Sequence, residues 1–249
     1  MVGVQGLLLG AAPYGASGGN PVVALQGAIR TRDRSVAVAA QQPAVKRDVA
    51  AFRAAVASAP DLKTLLANPA ARRVLLTANG LGDQADSRAL AQAALTSDPA
   101  KPDSLANRLT DRRWAAMAQT FQFGAKGLAV LKDPAVVARV ADGYAEIQWR
   151  KSLDAATPGL SAAMDFRDRA KGVTSALQIL GDPVLRDVVT TALGLPKELA
   201  LQSVEAQERA VSARLDVRRL QEPKFVDQFA QRYLLANAGN GGPGVPLFA

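Results

Sequence analysis

The sequence predicts an all-α fold, a multi-helix bundle made of two related helical halves with a flexible arm before it and a flexible tail after it. Three observations carry that expectation. Hydrophobic residues make up 49% of the 249 but aromatics only 5%, with alanine abundant, a composition suited to closely packed helices and not to sheets. Asx-Pro pairs recur as helix openers. One block of residues occurs twice.

The openers are Asn68-Pro69, Asp133-Pro134 and Asp182-Pro183. An Asn or Asp side chain at the N-cap accepts a bond from a free backbone N–H, and proline at the first helical position has no N–H to waste. A helix is expected to start at each pair. Gly80 and Gly194 stand at equal distances after the first and third, as C-terminal stops. Other amphipathic stretches run from Val22 to Gln41, Ala44 to Ala57, Asp86 to Leu95, Ser104 to Leu109 and Arg112 to Phe121. Pro134 through Leu153 reads as the longest helix, with Val137, Val140, Tyr144, Ile147 and Lys151 along one face. Pro158 opens a further one, and Ser203–Leu215 and Pro223–Leu235 close the folded part. No period-2 run bounded by hairpin turns is present.

The duplicated block begins Leu65-Leu66-Ala67-Asn68-Pro69 and ends Thr77-Ala78-Asn79-Gly80-Leu81. It returns as Ile179-Leu180-Gly181-Asp182-Pro183, ending Thr191-Ala192-Leu193-Gly194-Leu195. Arg72 and Arg186 hold the same place in it. They are read as structural arginines of the repeat interface, each pairing with a carboxylate across it, in preference to a pair of pseudo-symmetric anion sites. A second echo sets Leu109, Asp111, Arg113 and Trp114 against Leu220, Glu222, Lys224 and Phe225. Asp133-Pro134 is a weaker echo still. Internal repetition of this kind indicates two related halves, here divided as residues 22–123 and 124–236.

Cysteine and histidine are both absent, so thiolate, imidazole and His- or Cys-based metal chemistry cannot be built from this chain. No Walker or dinucleotide loop is present: Gly124 and Gly127 flank Lys126 at the wrong spacing. Asp165 with Asp168, and Glu205 with Glu208, stand one turn apart, but with arginines close by in sequence they are read as solvated helix faces. No catalytic residue, cofactor or metal is expected, and the chain is read as a non-enzyme. The formal charge of +8 favours acidic partners, although the plainer reading places the excess arginines on solvated helix faces. Nucleic acid is disfavoured, because acidic residues interrupt the basic spots at Arg112-Arg113 and Arg218-Arg219 and no groove-reading motif accompanies them. Trp114 and Trp149 are read as core or half-buried packing residues.

No stretch reaches the ~18 apolar residues of a membrane span. Residues 1–21 form a Gly/Ala-rich arm with neither a basic n-region nor a clear cleavage site, so no Sec signal peptide is read there. Residues 237–249 form a Gly/Asn-rich tail with an apolar end. Within it Val245, Leu247 and Phe248 are candidates for docking in a groove of this chain or of a partner.

Pro43-Ala44-Val45-Lys46-Arg47-Asp48 leading to Phe52, Ser104 through Trp114, Phe121-Gln122-Phe123-Gly124 and the Leu180–Pro196 block occur in that order. On these motifs, residues of about 43 to 236 resemble an uncharacterised bacterial family, domain-of-unknown-function family 1217. The resemblance implies an all-helical protein whose gene often lies beside flagellar genes, mainly in alphaproteobacteria. It carries no established catalytic or binding residue. The expected role is therefore a structural or assembly protein of the flagellum, made in the cytoplasm, exported, and acting through contacts with flagellar components or with itself. A cytoplasmic helical adaptor that grips a partner segment is the alternative.

Overall fold

The computed structural model describes residues 19–240. Among them every regular element is helical: α1 (Pro21–Ala40), α2 (Pro43–Ser58), α3 (Leu62–Ala67), α4 (Pro69–Ala78), α5 (Arg88–Thr96), α6 (Leu105–Arg108), α7 (Arg113–Phe121), α8 (Phe123–Lys126), α9 (Pro134–Asp154), α10 (Leu160–Arg169), α11 (Ala176–Gly181), α12 (Pro183–Ala192), α13 (Val204–Ser212) and α14 (Pro223–Asn240), with short 3₁₀ turns between some of them.

The predicted openers work as local chemistry requires. Asn68 accepts from the Ala71 amide, Asp133 from Ala135, and Asp182 from both Val184 and Leu185. Asn20 does the same for Val22 ahead of Pro21. At the far ends, Gly80 and Gly194 take positive φ values of 76° and 62°, which glycine adopts without strain. That turn lets Leu81 and Leu195 donate back to Leu76 and Thr190 at 2.8 and 2.9 Å.

The duplicated block is one structure used twice. α3 and α4 have six and ten residues; α11 and α12 have six and ten, 114 positions later (62 to 176, 69 to 183). A second correspondence is set by α9 and α14 with a shift of 89 (134 to 223). Under it Val140, Ala141, Tyr144 and Ala145 match Phe229, Ala230, Tyr233 and Leu234, all buried, and fully buried Leu131 matches fully buried Leu220. Asp133-Pro134, the weakest echo in the sequence, is therefore the structural partner of Glu222-Pro223. The expected match of Leu109 and Trp114 to Leu220 and Phe225 does not describe the backbone, because residues around α6–α8 are extra in the first half.

Two hydrophobic cores result. The first gathers Val45, Phe52, Leu65, Leu66, Leu75, Trp114 and Tyr144, around α2, α4 and α9. The second gathers Trp149, Phe166, Val188, Val189, Phe229 and Leu234, around α10, α12 and α14, and it also takes Leu25, Ala28 and Ala39 from α1. These cores divide the chain differently from halves at 22–123 and 124–236. α9 starts in the first core and ends in the second, and α1 belongs mostly to the second. Amphipathic periodicity marks which face of α1 is buried but carries no information on which core receives it.

α14 runs to Asn240, into the stretch that composition reads as flexible tail from 237. Asn237 donates to the Pro158 carbonyl at 2.8 Å, and Gly159, at φ 86°, lies against Tyr233. This tertiary anchor outweighs the poor helix propensity of Asn and Gly.

Candidate functional site

The most concentrated ionic chemistry lies where the extra segment of the first half meets the second repeat. Arg113, the first residue of α7, is 8% exposed. Its Nε donates to Asp111 at 2.9 Å, its two terminal nitrogens donate to both oxygens of Asp83 at 3.0 and 2.9 Å, and it also reaches the Gly80 carbonyl. Asp182 approaches the same Nε at 3.9 Å. Asp182 is bridged by Arg169, which in turn holds Asp165 at 2.8 Å. Burial alone would raise the Asp182 carboxyl. The Arg169 hydrogen bond and charge, the Leu185 amide and the Arg113 charge outweigh it and hold the group below its ordinary value. Burial likewise works against the Arg113 cation, and the two carboxylates more than restore it. Beside this cluster the Thr110 carbonyl rests on Gly181, where a methyl group would collide with it.

A second cluster ties α1, α9 and α10. Arg150 donates to Glu146 at 2.9 Å and bonds Asp168, while Arg32 meets Glu146 at 2.6 Å. A third sets the Tyr144 hydroxyl on Asp48, which also pairs with Arg73 at 3.3 Å. Burial and the Asp48 charge push Tyr144 up to about 12. In the second half Tyr233 donates to Asp187 at 3.2 Å, and burial with that charge raises it too. Asp154 closes α9 and accepts from the Ser161 amide at 2.8 Å, serving as a cap for α10 across the turn. In each cluster the carboxylates meet guanidinium, amide or phenol donors, an arrangement that fixes helices to one another.

Among the described residues Arg72 and Arg186 are not brought together, and neither meets a carboxylate across an interface. Arg72 donates to the carbonyls of Leu66, at 2.6 Å, and Ala85; Arg186 donates to Leu180 at 3.5 Å. Both reach six residues back, to the last turn of the short preceding helix, where carbonyls lack amide partners. They are clasps inside each repeat. Val245, Leu247 and Phe248 lie outside the described residues. Trp114 and Trp149 are buried in the two cores, as the sequence reading has them. Gly124 backs onto the Thr96 carbonyl, so that glycine answers a packing need.

Sequence reasoning treated Arg113 as part of a basic spot and missed its burial. The signal available was the acid at Asp111, two residues before it. An open cleft of about 390 Å³ is lined by Thr96, Asp98, Gln119 and Gln122, with Gln122 at φ 51° between α7 and α8. Among the described residues no group of three His, Cys, Asp or Glu could hold a metal ion, and no helix is long and apolar enough to cross a membrane.

The halves differ in what covers them. α5 is overlaid by α6, α7 and α8. Its counterpart α13 is followed within five residues by the next 3₁₀ turn, Val217–Gln221, and has no such cover among the described residues. Leu201, 88% exposed, ends the 3₁₀ turn before α13; Val204, in α13, and Leu177, in α11, are exposed as well.

Comparison with known proteins bears on the fold and the family. A structural-genomics target protein from Agrobacterium tumefaciens, solved by X-ray crystallography, is similar with a TM-score of 0.75 and 22% identity over 93% of this chain and 99% of that one. At that identity the likeness speaks for the fold. No curated protein matches. The model of a family described as proteins of unknown function, DUF1217, matches residues 78–226, a stretch that contains Asp83, Arg113, Arg169 and Asp182. The all-helical architecture and this match over more than half of the sequence agree, and the chain belongs to the DUF1217 family.

Proposed function

We propose that the protein works by contact, as a non-enzymatic structural or assembly component of the bacterial flagellum that is made in the cytoplasm and exported. The observation that carries the contact reading is the disposition of its side chains. Charged groups of the interior are committed to holding helices together, while large apolar side chains such as Leu201 and Val204 stand in solvent on the second repeat. Contiguous exposed apolar surface is a feature of protein interaction sites, and among the described residues Leu201 and Val204 are the exposed large aliphatics nearest one another in the chain. The flagellar setting is supported by the gene neighbourhood that the family resemblance implies.

The test is fractionation of motile cells into cytoplasm, basal body, filament and culture supernatant, with detection of this chain in each, alongside motility of a deletion strain. Recovery with a flagellar fraction and impaired motility is the expected result. Confinement to the cytoplasm with unchanged motility overturns the flagellar assignment, and leaves the contact chemistry to a cytoplasmic adaptor.

A further inference from the structure

The positive charge of the chain is concentrated at one end of it. The first 79 residues hold nine of the 30 Lys and Arg but only three of the 22 Asp and Glu, so they carry +6 of the net +8. Where those cations stand decides what the excess can do. Arg32 is engaged with Glu146 and Asp168, Arg73 with Asp48, and Arg72 with backbone carbonyls. The other six are exposed, Lys63 on α3 and five on α1 and α2. Arg30 and Arg34, four residues apart, share the exposed face of α1. Lys46, Arg47 and Arg53 stand on the exposed face of α2, with Lys46 and Arg53 two turns apart on one line. None of these five takes part in an ion pair among the described residues.

The acids of the same segment are placed so that they leave this charge standing. Asp48 is turned toward Tyr144 and Arg73, and Asp61 caps α3 through the Thr64 amide. Asp33 alone shares the outer face of α1. Between the cations lie apolar surface residues: Val38, 61% exposed, and the exposed alanines Ala50, Ala54 and Ala57.

We propose that the outer faces of α1 and α2, consecutive helices linked through Gln41-Gln42, are a docking surface for an acidic amphipathic segment of a partner protein. Charge complementarity selects the partner: carboxylates spaced at helical intervals can meet Arg30, Arg34, Lys46 and Arg53, and aliphatic side chains between them can lie on Val38 and the alanines. The apolar interleaving and the acid at Asp33 favour a protein segment over a phosphate backbone, which binds through continuous cation contacts. The inference rests on the contact reading above and supplies the partner chemistry which that reading leaves open.

The test uses the full chain and a fluorescent peptide of roughly 18 residues, long enough to form a helix on docking, with Glu and Leu at helical spacing. Binding is followed by anisotropy at low and at physiological salt. Three charge-reversal variants are compared: Arg30→Glu with Arg34→Glu; Lys46→Glu with Arg47→Glu and Arg53→Glu; and, as a control at equally exposed sites elsewhere, Lys197→Glu with Arg214→Glu and Lys224→Glu. The first two are expected to weaken binding by roughly tenfold or more, and the control by less than about twofold. Circular dichroism checks the fold of each, and Lys46→Gln with Arg53→Gln replaces the triple variant if that variant does not fold. Equal loss in all three sets, or no binding to the unaltered chain, overturns the proposal. So does a single-stranded oligonucleotide of equal charge that binds as tightly with the same dependence on the variants. These readouts are made in solution, so they hold or fail independently of where the protein is found in cells.

Discussion

At Arg113 a full positive charge sits 8% exposed between Asp111 and Asp83, with Asp182 close by. A buried ion pair contributes little net stability when compared with a well-packed apolar substitute, but removing one partner strands the others. Arg113→Met is therefore expected to destabilise the fold by about 3 kcal/mol, since Asp111 and Asp182 remain shielded from water. Urea denaturation of the two proteins gives the difference, and a change within error would remove the cluster from the stability argument. Arg218, paired with Asp216 but 88% exposed as a side chain, serves as the comparison, and Arg218→Ala should leave the midpoint unchanged. Asp182 adds a pH dependence whose sign follows from its direction of shift. Its folded-state value lies below its ordinary one of 3.8, so its contribution is fully present above that value and is lost as pH falls through the lower one. Asp182→Asn keeps an oxygen able to cap α12 and should flatten the acid limb of the stability profile below about pH 4. An acid limb of unchanged slope would assign that loss to other carboxylates.

Single elements show which parts of the structure a sequence can disclose. The starts of α4, α9 and α12 were legible because a capping side chain and its amide lie within three residues of each other. The ends at Gly80 and Gly194 were legible for the same reason. The start of α10 was legible at Pro158 to within two residues, but its cap was not: the Ser161 amide is capped by Asp154 from seven residues away, across a turn. Nor was the role of Gly181, which depends on Thr110 from a different element. Two glycines separate these local and tertiary demands. Gly181→Ala drives a methyl group into the Thr110 carbonyl and should cost about 1–3 kcal/mol, the range for overpacking a filled site. Gly27 lies inside α1 with nothing beyond its own stretch of helix within 4 Å of where a methyl would stand. Gly27→Ala should therefore stabilise by about 0.5–1 kcal/mol through helix propensity and a less flexible unfolded chain. Thermal melts of both variants check the pair. Loss of stability at Gly27, or none at Gly181, would contradict the packing described.

Over the whole molecule, the sequence disclosed that a unit is repeated but not how the copies are assembled. Similar residues at a fixed shift reveal the duplication, whereas an added segment breaks the shift from 114 to 89 and hides the pairing of α9 with α14. The interleaving was hidden more deeply, since α1 precedes the first core in the chain yet places Leu25, Ala28 and Ala39 in the second. This arrangement predicts a crossed response to mutation. Leu25 is 2% exposed and Leu66 is fully buried, and truncating either to alanine should cost about 2–5 kcal/mol, depending on how far each site relaxes. Hydrogen exchange tells them apart because cooperative units open separately when their cores are separate. Leu25→Ala should reduce protection in α12 and α14, more than 100 residues away in sequence, and spare α4. Leu66→Ala should do the reverse. The shared helix α9 should respond to both, at its C-terminal end for Leu25→Ala and its N-terminal end for Leu66→Ala, because Trp149 lies in one core and Val140 in the other. Equal loss of protection throughout the molecule in both variants would show that the ion-pair clusters and α1 couple the cores into one unit, and that the repeat is a matter of shape alone.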